Sequence, residues 1–197
     1  MVSANQQHST RPDAWRTWRT RDIVITAVIG VAFGVVFWAW GLAYNAILPF
    51  FPAVPWVVDI MYGMWFVPAV LAPLIVRKPG AALFAETVAA GLSMLLGTVW
   101  AADVLLSGVL QGLAAELVFL ATAYRLFTFP VLALAALAAS VPAFIHDWII
   151  WYPTVDPTVQ IARFVVMAIS SVVIAAGGAV LLERQLRRTG VLDGFPD

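Results

Sequence analysis

The chain has 197 residues, of which 62% are hydrophobic and 11% are charged, and its mean hydropathy is +0.93. A soluble domain carries roughly 25% charged residues, so this composition excludes an ordinary water-soluble globule and indicates an integral membrane protein. The formal net charge is zero and there are no cysteines, which excludes disulfides and thiolate metal sites.

A polar, arginine-containing segment comes before the first apolar run. No small-residue cleavage site closes that run, so we predict a retained first helix rather than a signal peptide. The predicted organisation is a basic cytoplasmic tail over residues 1–21, a six-helix membrane domain over 22–185 and a second cytoplasmic tail over 186–197.

Six apolar runs follow one another along the chain, each of about 18 to 22 residues, close to the ~20 that a helix needs to cross a bilayer. They lack the polar stripe of a soluble helix. The predicted fold class is therefore an all-α integral membrane protein with a bundle of six transmembrane helices. The predicted spans are 23–42, 56–76, 81–98, about 104–124, 129–150 and 161–182.

The basic residues lie almost entirely on one side of these spans. Ten of the eleven lysines and arginines fall before span one, between spans two and three, between spans four and five, or after span six. Only Arg163 falls on the other side. The positive-inside rule makes the basic side cytoplasmic, which predicts a multi-pass protein of the cell membrane with both termini in the cytoplasm.

The acidic residues are concentrated towards the predicted outer side. We interpret Asp59, Asp103 and Asp156 first as solvated residues of loops or helix starts, where acids suit the helix dipole. Glu116 lies near mid-depth, where a carboxylate needs a cavity or a partner, and we expect it to have a functional role. Glu86 is left open between reaching the inner surface and pairing with a basic residue.

Aromatic and amide side chains crowd the same outer half. The aromatic belt of membrane proteins explains several of them. It explains less well a cluster of His146, Asp147 and Trp148 within about one turn of the fifth span. Aromatic rings beside carboxylates form a good site for a flat, cationic ligand.

Small residues repeat at every fourth position on two spans. On the first span these are Thr26, Gly30 and Gly34, with Ala27 beside them, and on the fourth they include Gly108 and Gly112. This spacing lets helix backbones approach closely. The partner is either another helix of the chain or a second protein, and we predict a partner-docking role for Ala27, Gly30 and Gly34.

No catalytic constellation is found in the sequence. There is no Walker loop, no histidine cluster for a metal and no nucleophile with a paired base. His8 and His146 fall on opposite sides of the predicted membrane. We therefore expect no enzymatic activity, no metal and no cofactor.

Three segments carry a resemblance to a known family. Tyr62–Phe66 (YGMWF), 75–83 (IVRKPGAAL) and 111–119 (QGLAAELVF) resemble the YkoE family, the substrate-binding (S) components of energy-coupling factor (ECF) transporters for thiamine or its hydroxymethylpyrimidine precursor. The resemblance covers about residues 21–185. It implies a six-helix S-component bundle with an outward-facing vitamin pocket, which works with a transmembrane coupling subunit and two ATPase subunits.

The resemblance also suggests site residues. Glu116, Gln111 and Trp65 lie in the matching motifs, and depth and chemistry add the other expected contacts. The predicted substrate-binding residues are Glu116, Gln111, Trp65, Tyr62, Asn45, His146, Asp147, Trp148 and Asp103. The alternatives are an S component for another vitamin or a metal ion, a membrane enzyme, or an assembly protein without a ligand.

Overall fold

The computed structural model describes residues 17–196, and this part of the chain is helical without strands. The expectations for residues 1–16 lie outside it. The α-helices are α1 (Thr20–Ile47), α2 (Val67–Val76), α3 (Ala81–Leu95), α4 (Asp103–Ala121), α5 (Phe129–Ile150), α6 (Pro157–Ser170) and α7 (Gly177–Arg188). Two 3₁₀ segments, Leu48–Phe50 and Pro55–Phe66, come before α2, and a π-helical turn, Ser171–Ala176, joins α6 to α7.

Five helical stretches are long and apolar enough to cross a membrane: Thr20–Phe50, Pro55–Val76, Asp103–Ala121, Phe129–Ile150 and Pro157–Arg188. The predicted third span is the shorter helix α3, whose 15 residues cover ~22 Å. The predicted all-α membrane bundle is confirmed. The predicted sixth span is the continuous run from α6 through the π turn to α7.

The second span is the centre of the bundle and has an unusual backbone. Pro55–Phe66 is a 3₁₀ helix of 12 residues, whereas such helices rarely exceed four. It continues into α2, all ten residues of which are buried. At the change of helix type, the N–H of Val67 bonds to the Met64 carbonyl and Pro68 has no N–H, whereas the N–H of Ala69 is bonded by a side chain from outside its own helix.

Glycines on α1 bring it against α3. A Cβ at Gly30 would lie 2.7 Å from the Cβ of Val88, and one at Gly34 would lie 2.6 Å from the Cβ of Leu92. Both distances are shorter than real side chains tolerate, so α3 fills this face. The predicted docking role is corrected for Gly30 and Gly34, whose face packs inside the bundle. The docking role of Ala27, which is half-buried, stays a prediction.

Glycines on α4 do the same on the other side of α3. A Cβ at Gly108 would lie 2.4 Å from that of Ala90, and one at Gly112 would lie 2.9 Å from that of Glu86. The small-residue spacing on the fourth span therefore marks a packing surface, as predicted, and it brings α4 close to the acid on α3.

The two ends of the described chain lie on the same side of the bundle. The Trp18 indole donates to the carbonyl of Pro79 (3.0 Å), in the turn between α2 and α3. The Arg21 guanidinium lies 5.0 Å from the ring centre of Phe195, and Leu192 is buried. The segment predicted as a C-terminal tail is thus packed against the bundle at Leu192 and Phe195.

Candidate ligand cavity

A buried ion pair joins the 3₁₀ segment to the beginning of α6. Arg163 on α6 donates two hydrogen bonds to Asp59, at 2.9 and 3.1 Å, and both side chains are almost fully buried. The guanidinium also lies 3.7 Å from the ring centre of Tyr152. The interpretation of Asp59 as a solvated residue was therefore wrong.

Asp156, by contrast, is the exposed N-cap of α6, as expected for an acid at a helix start. Its carboxylate accepts a hydrogen bond from the backbone N–H of Thr158 at 2.8 Å. This hydrogen bond to the charged form lowers the pKa of Asp156.

The long 3₁₀ segment determines which side chains face the cavity. Residues three apart eclipse one another in a 3₁₀ helix, so Asp59, Tyr62 and Trp65 share a face. Tyr62 and Trp65 pack edge to face with ring centres 5.3 Å apart, and the Trp65 ring lies 5.5 Å from that of Trp100. An α-helix would have spread these three residues over a wider arc.

A cavity opens beside this aromatic face, between the 3₁₀ segment and helices α1, α3, α4 and α5. It encloses about 500 Å³ of space, including the open solvent at its mouth. It is lined by Phe37, Tyr62, Trp65, Glu86, Ala90, Trp100, Asp103, Val104, Ser107, Gly108, Gln111, His146, Asp147 and Trp151.

A network of hydrogen bonds forms one wall of the cavity. His146 Nε2 lies 2.9 Å from Asp103, and its Nδ1 lies 3.3 Å from Asp147. Tyr62 donates to Asp147, and the Trp151 indole donates to Asp103 at 2.8 Å. Both histidine contacts are hydrogen bonds at the same time only if both ring nitrogens carry protons. The wall is therefore held by groups from the 3₁₀ segment, α4 and α5.

Glu86 is the deepest acid of the cavity, and its side chain is fully buried. One oxygen, Oε2, accepts a hydrogen bond from the backbone N–H of Ala69 (3.1 Å), at the start of α2. The other, Oε1, has no hydrogen-bond partner. Buried carboxylate oxygens are normally satisfied, so the unpartnered Oε1 of Glu86 is an exception to the usual pattern.

The ionisable side chains of the cavity are mostly acidic. Glu86, Asp103 and Asp147 line it together with His146, and no lysine or arginine is among its described lining residues. Aromatic rings supply much of the remaining surface. Such a wall suits a flat ligand that carries positive charge or several N–H donors.

Six of the nine predicted contacts lie in this cavity: Tyr62, Trp65, Asp103, Gln111, His146 and Asp147. Asn45 does not, because it is exposed on α1 and its amide donates to the Gly41 carbonyl (2.9 Å). Trp148 does not line it either: it is exposed on α5, and its ring packs on that of Phe144.

Glu116 is the third predicted contact that the structure moves elsewhere. Its carboxylate accepts hydrogen bonds from the backbone N–H groups of Gly80 (2.6 Å) and Ala82 (3.1 Å) and from the Tyr124 hydroxyl (2.5 Å). Gly80 and Ala82 lie at the N-terminus of α3, and Tyr124 lies in the connection after α4, at the same basic end of the bundle. The expected pocket role of Glu116 is corrected: it caps α3, and Glu86 on the neighbouring helix is the deep acid of the cavity.

Fold and cavity together define a class, a polytopic membrane protein with a small-molecule site inside its helix bundle. Residues 21–142 match the family model of the permease component of ABC-type cobalt transport systems. The chain is 36% identical over 181 residues to a protein of Bacillus subtilis (strain 168) provisionally named HMP/thiamine permease protein YkoE, covering 91% of this chain and 90% of the relative.

A solved structure gives the same result. The crystal structure of an S-component of an ECF transporter matches with a TM-score of 0.86 at 36% identity, over 90% of this chain and 90% of that one. The chain therefore belongs to this permease family, as a YkoE-type S component of an ECF transporter. The family resemblance found in its sequence motifs is confirmed.

Proposed function

We propose that this S component captures thiamine or its hydroxymethylpyrimidine precursor in the cavity beside the 3₁₀ segment. The name of the Bacillus subtilis relative supports this cargo, and so does the chemistry of the lining residues. The alternatives are another vitamin with a flat, nitrogen-rich ring or a small cation.

The free oxygen of Glu86 is the observation that carries the proposal. Thiamine and hydroxymethylpyrimidine share an aminopyrimidine ring, whose amino group donates hydrogen bonds. A donor placed on Glu86 Oε1 would satisfy the buried carboxylate, and Gln111 and Ser107 supply further polar contacts beside it. The aminopyrimidine would thus occupy the deep end of the cavity.

The mouth of the cavity would hold the other ring of thiamine. A thiazolium cation cannot lose its charge, so carboxylates or aromatic faces must meet it as it leaves water. Asp103 and Asp147 lie there, with Trp100 and Trp151 as stacking surfaces. This arrangement favours thiamine over its precursor, which lacks the cation.

The rest of the assignment follows from this role. We propose a non-enzymatic subunit that requires an ECF coupling subunit and two ATPase subunits for import. We also propose that the basic end of the bundle, with both described chain ends, faces the cytoplasm. The cavity then opens outwards, as uptake requires.

Replacing Glu86 by Gln tests the binding mode. The substitution keeps the size of the side chain and replaces the acceptor oxygen Oε1 or Oε2 by an amide nitrogen, so the affinity for thiamine and for hydroxymethylpyrimidine should fall at least about tenfold. Isothermal titration calorimetry on purified protein in detergent measures both affinities. Glu116→Gln is the matched control: it makes the same change from carboxyl to amide outside the cavity, and it should lower thermal stability while leaving affinity unchanged.

The titration tests the proposed cargo and the proposed binding mode separately. If wild-type protein binds neither pyrimidine compound, the proposed cargo is wrong, and tight binding of Co²⁺ instead would favour the metal named by the family model. If thiamine binds equally well to wild type and Glu86→Gln, the cargo stands and the binding mode fails. The binding mode, in which the ligand donates to Glu86, would also be contradicted if Glu116→Gln lost as much affinity as Glu86→Gln.

A further inference from the structure

A serine at the end of α6 contacts the backbone of the long 3₁₀ segment. Ser170 is the last residue of α6, directly before the π-helical turn, and it is almost fully buried. Its Oγ accepts a hydrogen bond from the N–H of Gly63 at 2.9 Å, and its hydroxyl donates to the carbonyl of Ile60. One side chain of α6 therefore bonds to two backbone groups of the 3₁₀ segment.

The two groups that Ser170 contacts are those that a single 3₁₀ turn pairs, the carbonyl of one residue and the N–H three residues later. In an α-helix the N–H of Gly63 would instead pair with the carbonyl of Asp59. A side chain that inserts into the hydrogen-bond ladder of a helix changes the local path of its backbone. The Ser170 hydroxyl thus favours the 3₁₀ form of residues 60–63 over the α form.

Gly63 allows this contact because it has no side chain. A Cβ at Gly63 would lie 2.8 Å from the Cβ of Ile174 and closer still to the carbonyl oxygen of Ser170, so only glycine lets the two backbones approach this closely. From the side of α1, the Trp40 indole donates to the Met61 carbonyl at 2.9 Å. The backbone of residues 60–63 is therefore bonded by side chains of two other helices.

Two side chains of the ligand cavity depend on this stretch of backbone. Tyr62 directly precedes Gly63 and Trp65 follows it by two residues, and both line the cavity. Residues three apart point the same way in a 3₁₀ helix but differ by ~60° in an α-helix. A change of helix type at residues 60–63 would therefore turn the Tyr62 and Trp65 rings relative to each other.

We propose that Ser170 is a positioning residue for ligand binding, whose hydroxyl fixes the 3₁₀ form of residues 60–63 and so directs Tyr62 and Trp65 into the cavity. Ser170 is not among the described lining residues, so it acts through the backbone of the 3₁₀ segment rather than on the ligand. A preformed binding surface lowers the cost of ordering the site when a ligand binds. Its part in binding rests on the function proposed above, whereas its effect on the two rings does not.

Ser170→Ala tests the proposal on the full chain in detergent, with Ser171→Ala as the matched control. Ser171 is also buried, but its hydroxyl donates to the carbonyl of Ala168 at 2.8 Å, three residues earlier in the same helical run. Each variant therefore removes one buried hydroxyl from neighbouring positions. Only Ser170→Ala removes a contact to the 3₁₀ segment.

The first measurement needs no ligand. Near-ultraviolet circular dichroism reports the packing of aromatic rings, and the ring centres of Tyr62 and Trp65 lie 5.3 Å apart. Ser170→Ala should change the spectrum in the bands that Trp65→Phe alters, whereas Ser171→Ala should leave it unchanged. Calorimetry then measures the affinity for thiamine, which should fall about fivefold in Ser170→Ala and by less than about twofold in Ser171→Ala.

The proposal is overturned if Ser170→Ala keeps the wild-type spectrum, if Ser171→Ala changes spectrum and affinity equally, or if the spectrum of Ser170→Ala changes without any loss of affinity. Should Ser170→Ala not fold, Ser170→Cys keeps the size of the side chain with only a weak donor and acceptor, and the same changes are expected to a smaller extent. If wild-type protein does not bind thiamine, the proposed cargo fails, and the spectra still decide whether Ser170 positions the rings.

Discussion

At the scale of single residues, Asp59 and Arg163 show how a charge is kept inside this bundle. Their two hydrogen bonds satisfy the carboxylate from one side, and the Tyr152 ring covers the guanidinium. Removing one member of a buried pair leaves the other charge without compensation, whereas removing both does not. The pair therefore makes the two residues energetically interdependent.

Arg163→Met should destabilise the protein by about 3–5 kcal/mol, because it leaves the Asp59 carboxylate unpaired in an apolar environment. The double variant Asp59→Asn/Arg163→Met should recover more than half of that loss, since no buried charge remains. Chemical denaturation in detergent micelles measures both free energies of unfolding. Equal losses in the single and double variants would show that the pair is not coupled.

The two deep glutamates show what residue-level prediction achieved. Both Glu86 and Glu116 lie on apolar helices, and the sequence indicates that each needs a cavity or a partner. Which of them lines the cavity depends on nearby hydrogen-bond donors, since two backbone N–H groups and a tyrosine hydroxyl satisfy Glu116 and only one backbone N–H contacts Glu86. Those donors belong to other segments, so neighbouring residues in the sequence do not indicate them. The sequence signal that could have pointed to Glu86 is Gly112, four residues before Glu116, because its missing side chain allows α4 to approach α3 at Glu86.

At the scale of elements, α3 is the helix that holds the cavity in place. It carries Glu86, and it is packed closely by glycines from α1 on one side and α4 on the other. Gly34 shows how little room remains, because an added Cβ would meet Leu92 at 2.6 Å. A shift of α3 would move the Glu86 carboxylate relative to the aromatic face of the 3₁₀ segment.

Gly34→Ala should therefore cost about 1–3 kcal/mol of stability, as overpacking does, and should weaken ligand binding at the same time. Gly178→Ala is the matched control: nothing lies within 4 Å of its added Cβ, and alanine favours the helix by ~1 kcal/mol. Thermal unfolding and calorimetry on both variants measure the effects. Normal binding with lost transport in Gly34→Ala would instead restore a docking role for this face of α1.

At the scale of the whole molecule, one end of the bundle is basic and the other holds the mouth of the cavity. The turn at 77–80, the connection at 122–128 and both described chain ends share the basic end. The one arginine predicted on the other side, Arg163, is used in a buried ion pair and leaves the positive-inside bias intact. The cavity mouth, with Asp103 and Trp151, lies at the less basic end.

This topology is testable because the chain has no cysteines. Single cysteines at Ala53 and Thr154 should react with a membrane-impermeant maleimide from outside intact cells. A cysteine at Leu126, which is exposed in the connection between α4 and α5, should react only after the membrane is opened. External labelling at Leu126 would contradict the proposed orientation.

The sequence by itself determined the membrane fold class, the approximate spans and the close-packing glycines, and it indicated six of the fourteen residues that line the cavity. These follow from properties that neighbouring residues carry: hydropathy over ~20 residues, small-residue spacing, and polar groups at one depth. The tertiary structure decided which faces are internal, which acid is capped and which is free, and that a 3₁₀ helix aligns Tyr62 with Trp65. These features depend on contacts between segments far apart in the chain. The helix that packs against a buried acid supplies its hydrogen-bond partners, and the helix that packs against a glycine fills the space where a Cβ would lie.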